Sequence, residues 1–167
     1  MLGKFLTGVN TLVGMDFAYL KGRGEVRRVI GLIVCTHGKF SEELVRASEM
    51  MFGAQENLRY LTFEPGESAE NLVEKYKASI ASLTEKEEVL FLVDLFGGSP
   101  YNAASRIAVE NQNMDVVSGV NLPMLLEIYG SRSCSGLAEL VDIAVGAGSS
   151  AIKSFKANYE INVGEDL

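Results

Sequence analysis

The chain has 167 residues, 47% of them hydrophobic, which suits one ordinary domain with a full core. Its net charge of −7 argues against nucleic acid as a partner, since a phosphate backbone demands clustered Lys and Arg. Apolar runs are short, as in Val89-Leu90-Phe91-Leu92-Val93, and none approaches the roughly 20 residues of a membrane-crossing helix.

Residues 1–28 differ from the rest. Five Lys or Arg stand there against Asp16 and Glu25, a net of +3, so that the remainder carries −10 of the chain's −7. Asn10, Gly14 and Asp16 interrupt its apolar residues, which makes it a poor signal peptide, and a weak helix over 7–20 is predicted. An expression artefact, a translated leader and a native extension all fit this segment. We divide the chain into this extension, a domain over 29–157 and a tail over 158–167.

The first predicted strand, 29–35, is an apolar, β-branched run of the kind covered on both faces in a parallel sheet. It leads into Thr36, His37 and Gly38. A helix follows over 41–52, with Ser41 as N-cap, Glu42 and Glu43 at the positive end of its dipole, and Gly53 ending it. A second strand over 58–63 closes at Pro65-Gly66, and a second helix opens at Ser68. The third strand, 89–93, ends at Asp94. Leu95-Phe96-Gly97-Gly98-Ser99-Pro100 then opens a helix reaching about 111, with Ser99 as N-cap and Pro100 at its first position. A short strand over 115–118, helices over 123–129 and 135–145, and one last short strand over 151–155 complete the pattern. Cys35 and Cys134 form no metal or redox spacing; Cys35 reads as a small buried hydrophobe, and the pair fits a reducing cytosol.

Strands alternating with helices imply right-handed crossovers and an open, mainly parallel α/β sheet with helices on both faces. A common order is 2-1-3-4, in which the winding reverses between strands 1 and 3, and ligands bind in the crevice there. That topology makes neighbours of His37, the chain's single histidine, and Asp94. A carboxylate beside an imidazole fixes one tautomer and leaves the other ring nitrogen with a free lone pair. The pair can serve a nucleophile or a base; alternatively His37 is a packed loop residue and Asp94 a cap for backbone groups. Ser99 can complete a triad, but no nucleophile-elbow pattern surrounds it. Gly97, Gly98 and the helix N-terminus beyond them resemble a small phosphate site, or else a plain loop into a helix. Together the parts suit a phosphohistidine. With no nucleotide motif, the phosphoryl group would come from a donor other than bound ATP, and no cofactor is expected. His37, Asp94 and Cys35 lack ligand-like spacing, so no metal is expected either.

At these residues the sequence resembles the IIA domain of the mannose family of the bacterial sugar phosphotransferase system. The likeness lies in Thr36-His37-Gly38, Pro65-Gly66-Glu67, Val93-Asp94-Leu95-Phe96-Gly97-Gly98-Ser99-Pro100, Asn102-Ala103-Ala104-Ser105-Arg106 and Gly119-Val120-Asn121-Leu122-Pro123-Met124, and it extends over about 29–155. The resemblance implies a cytoplasmic phosphotransferase. His37 would take phosphate from the phosphocarrier HPr and pass it to a IIB component, with Asp94 as its hydrogen-bonding partner. Thr36, Gly38, Phe96, Gly97, Gly98 and Ser99 would line the site. It also implies a homodimer that exchanges an antiparallel strand over 151–155, and membrane contact only through the IIC and IID components. Segment 1–28 has no counterpart in the usual domain. One alternative, from a related branch, is the phosphoryl donor subunit of dihydroxyacetone kinase; another, of a different class, is a non-catalytic module that senses phosphorylation.

Overall fold

A computed structural model describes residues 29–157. The expected helix over 7–20 and the tail 158–167 lie outside the described residues. Nine elements alternate in the order β1 (Gly31–His37), α1 (Phe40–Phe52), β2 (Leu58–Phe63), α2 (Ala69–Ser82), β3 (Val89–Val93), α3 (Ser99–Ala108), β4 (Met114–Ser118), α4 (Leu122–Ser131) and α5 (Leu137–Ser150) among the described residues. The four strands form one sheet in the order β2-β1-β3-β4, and every pairing is parallel.

Alternation along the strands divides the core in two. Leu32, Val34, Leu90 and Leu92 point to one face, where α1, α4 and α5 bring Leu44, Val45, Leu125, Ile128 and Leu140. Ile33, Cys35, Phe91 and Val93 point to the other, under Leu72 and Tyr76 of α2 and Ala103 and Ala104 of α3. The continuous apolar runs of β1 and β3 are thus explained by burial on both sides. Fully burying one such Leu or Phe stabilises the fold by about 1.5–3 kcal/mol.

Several element ends differ from those expected. Ser41 is the second residue of α1, not its cap; Lys39 holds the N-cap position and supplies no side-chain bond. The Ser41 N–H instead donates to Thr36 Oγ1 at 2.6 Å, across the loop. Likewise Ser99 is the first residue of α3, with Gly98 as N-cap and no capping side chain. The expected strand over 151–155 is absent from the described chain. Helix α5 runs five residues past its predicted end to Ser150, Ala151 caps it, and residues 155–157 turn helically.

The two ends of the sheet receive different parts of the chain. At the amino ends of the strands Arg132 is buried, and its guanidinium donates to the carbonyls of Ile30 and Glu56. At the carboxyl ends, Val120 N–H donates to Val93 O, and Asn121 Nδ2 donates to Gly148 O at 3.2 Å near the close of α5. Among the described residues, no helix is long and apolar enough to cross a membrane.

Candidate functional site

Parallel pairing places His37 opposite Phe63 at the end of β2 and Cys35 opposite Val93 at the end of β3. Asp94, one residue past Val93, is thereby brought beside the last turn of β1. Its Oδ2 accepts from the backbone N–H of His37 at 3.0 Å and lies 2.9 Å from His37 Nδ1. An ionised carboxylate can only accept, so Nδ1 carries the ring proton and Nε2 keeps its lone pair. The imidazole side chain is 44% exposed and the carboxylate 20%. The pair therefore stands on an open rim with its carboxylate tucked beneath.

The surroundings hold the ring in place. Phe63 meets it edge to face, with centroids 5.7 Å apart. The Gly38 N–H donates to Phe63 O at 2.9 Å and fastens the turn after His37. On the other flank, Gly98 N–H donates to Leu95 O, closing a turn in which Gly97 takes φ +73°, a conformation that Gly adopts without cost. A Cβ at Gly98 would stand 3.0 Å from His37 Cε1, so the imidazole rests directly against that backbone. Helix α3 starts there without a side-chain cap. Its first N–H groups form the kind of terminus that favours anionic oxygens.

Of the residues expected to line the site, Gly38 follows His37 directly and Gly98 lies against its ring, with Gly97 and Ser99 on either side of Gly98 in the chain. Phe96 projects from the same rim, 73% exposed, with its ring 4.7 Å from that of Tyr101. Thr36 is different: it is fully buried, and its hydroxyl serves the start of α1 rather than the surface. Three supports escaped the sequence reading. Asn102 Nδ2 donates to Gly97 O at 2.9 Å, Tyr76 Oη donates to Pro100 O at 3.0 Å, and Phe63 braces the ring. A buried tyrosine hydroxyl needs an acceptor, which was the one available signal for Tyr76.

Below the pair lies a low-dielectric floor. Cys35 is fully buried, and burial, with a lesser push from the nearby Asp94 charge, drives its thiol up to about 12. Burial likewise raises the Tyr76 hydroxyl. Asp94 Oδ1 is itself buried, with no hydrogen-bond partner among the described residues. Oδ2 is the oxygen through which the carboxylate holds His37.

The molecule is thus a doubly wound α/β domain with an aspartate-paired imidazole on an open rim beyond the carboxyl ends of its strands. The family model of the PTS system fructose IIA component matches residues 31–145. The chain is 46% identical over 129 residues to the PTS system mannose-specific EIIAB component of Escherichia coli, an alignment covering 77% of this chain and 40% of that protein. It is 44% identical over 114 residues to the PTS system fructose-specific EIIA component of Bacillus subtilis, covering 68% of this chain and 78% of the relative. The crystal structure of phosphotransferase system component EIIA from Streptococcus agalactiae superposes with a TM-score of 0.71 at 30% identity, over 77% of this chain and 98% of that one. This chain belongs to the IIA family of the phosphotransferase system, of the mannose–fructose type.

Proposed function

We propose that His37 carries a phosphoryl group between two proteins during sugar uptake. Phospho-HPr is the donor, a IIB component the acceptor, and the unit that performs the exchange spans 29–157. The Nε2 lone pair attacks phosphorus, the donor's P–N bond breaks, and its electron pair returns to the donor. Asp94 holds the Nδ1 proton throughout, so the imidazole stays in the tautomer that can attack and later release. Phosphoryl oxygens are received by the uncapped start of α3 beside Gly97, Gly98 and Ser99. Gly38 and Phe96 belong to the docking rim, and Thr36 acts as a positioning residue through α1.

The observation that carries this reading is the double grip of Asp94 Oδ2 on His37, with the rest of the ring exposed on an open rim. An exposed nucleophile suits a protein donor better than a small substrate, which a protein would enclose. Exposed Phe40, Leu95 and Phe96 supply apolar contact area at the carboxyl ends of the strands. The same reading places the chain in the cytoplasm as a homodimer. Exchange of 151–155 would cover the exposed side chains of Ile152 and Phe155.

The test is incubation with HPr, the first enzyme of the system and radiolabelled phosphoenolpyruvate. Label should enter the protein, leave it on addition of a IIB protein, and be absent from His37→Ala. Label surviving in His37→Ala would overturn the assignment, and label passing only to dihydroxyacetone kinase would overturn the acceptor.

A further inference from the structure

The end of the sheet opposite His37 carries an apolar face that the fold itself leaves open. Helix α1 runs back along β1, so its last turn lies at the amino ends of the strands. There Met50 is 86% exposed, Met51 62% and Phe52 48%. The chain reaches the domain at the same end. Phe52 packs on Tyr129 with ring centroids 5.7 Å apart, Arg132 lies 5.8 Å over Tyr129, and Arg132 Nη1 donates to Ile30 O at 3.4 Å. Three successive contacts, each under 6 Å, thus connect the apolar turn to the first residues of β1. The surroundings are acidic: Glu49 and Glu56 flank the turn, and Glu85, Glu87 and Glu88 line the hollow at Val29 and Ile30.

We infer that residues 1–28 of this same chain cover that face. Leu2, Leu6, Val9, Val13, Phe17 and Leu20 recur at helical spacing and fall on one narrow stripe. Gly3, Gly8 and Gly14 make the helix too weak to persist unsupported, so it needs a surface to form on. Residues 21–28 join the stripe to Val29 and contain Gly22 and Gly24. Fully extended, these eight residues span about 26 Å, beyond what the contact path requires. Their Lys21, Arg23, Arg27 and Arg28 meet an acidic surround, and the segment's +3 faces a domain over 29–157 of net charge −7. Flexible methionines suit a surface that accepts a helix.

Amide hydrogen exchange of the full chain at low protein concentration tests this. Residues 5–20 should exchange at least about tenfold more slowly than an unstructured peptide. That protection should vanish in Met50→Glu/Met51→Glu, which alters only exposed side chains, and equally in Val9→Glu/Val13→Glu, which leaves the domain untouched. Absence of protection in the unaltered chain would overturn the inference, as would protection that survives either pair of substitutions. Protection that grows with protein concentration would assign the face to a second copy, and protection seen only with anionic phosphatidylglycerol vesicles would assign the segment to a membrane; each result also overturns it.

Discussion

Asp94 Oδ2 accepts two hydrogen bonds from one residue, His37, through its backbone N–H and its ring Nδ1. The side chain and the main chain of the histidine are thereby locked to the same atom. The ring cannot turn without breaking its own anchor.

Asp94→Asn should fold and transfer slowly. If the amide oxygen replaces Oδ2, the NH2 group occupies the buried place of Oδ1, where no acceptor awaits it. If the amide flips, its N–H groups face two donors. Either arrangement costs about 1–3 kcal/mol. Phosphoryl acceptance from phospho-HPr should slow by at least about tenfold. A rapid-quench time course measures it, and an unchanged rate would remove Asp94 from the orienting role.

Gly98→Ala and Gly97→Ala should separate rate from stability. A Cβ at Gly98 meets His37 Cε1 at 3.0 Å and Leu95 O at 3.2 Å, so the ring must shift, and transfer should fall by about tenfold. A Cβ at Gly97 meets nothing within 4 Å, but the backbone sits at φ +73°. There the loss should be about 1 kcal/mol of stability, with the rate little changed. Denaturant melts and transfer rates on both variants check the contrast.

Thr36→Val should weaken the fold while leaving the pair in place. The substitution keeps the strand's shape and removes the oxygen that receives Ser41 N–H. The loss should be about 1–2 kcal/mol in urea unfolding. A stability equal to that of the unaltered chain would show that α1 finds another cap.

Alkaline pH should destabilise the protein through the floor of the site. The Cys35 thiol is raised from 9.0 to about 12 by burial, so the folded state keeps a proton that the unfolded chain releases. Its contribution is therefore intact below pH 9 and declines between pH 9 and 12, by up to about 1.4 kcal/mol for each pH unit. Tyr76 acts in the same direction from its ordinary value of 10 upward. Melting temperatures between pH 8 and 11 should fall less steeply in Cys35→Ala. An identical slope would place the effect elsewhere.

Much of this was legible in residue order. The apolar runs that end at His37 and Asp94, with helical patterns between them, were enough to predict the 2-1-3-4 sheet and the meeting of the two side chains. What escaped depends on the exact path of the loops and on one contact between strands. Ser41 and Ser99 look like caps locally, but Thr36 takes over the first role and a bare glycine occupies the second. Phe63 acquires its role only once β2 lies beside β1, whereas Asn102 bonds back to Gly97 within its own loop, a contact that residue type alone does not announce. The strand expected over 151–155 came from its place at the close of the pattern, and the family resemblance added its exchange in a dimer. In the single chain, the small residues before it continue α5 to Ser150, and 151–155 pair with none of the described strands.

The opposite exits of the chain have a practical corollary. Because Asn121 ties Gly148 to the carboxyl rim, anything attached after Ser150 sets out from the same end of the sheet as His37. A short tether there raises the local concentration of its cargo around the ring. A bulky fluorophore or a resin linkage at that end would compete for the space that the proposed phosphoryl exchange needs, whereas an attachment preceding Val29 would start from the opposite end of the sheet.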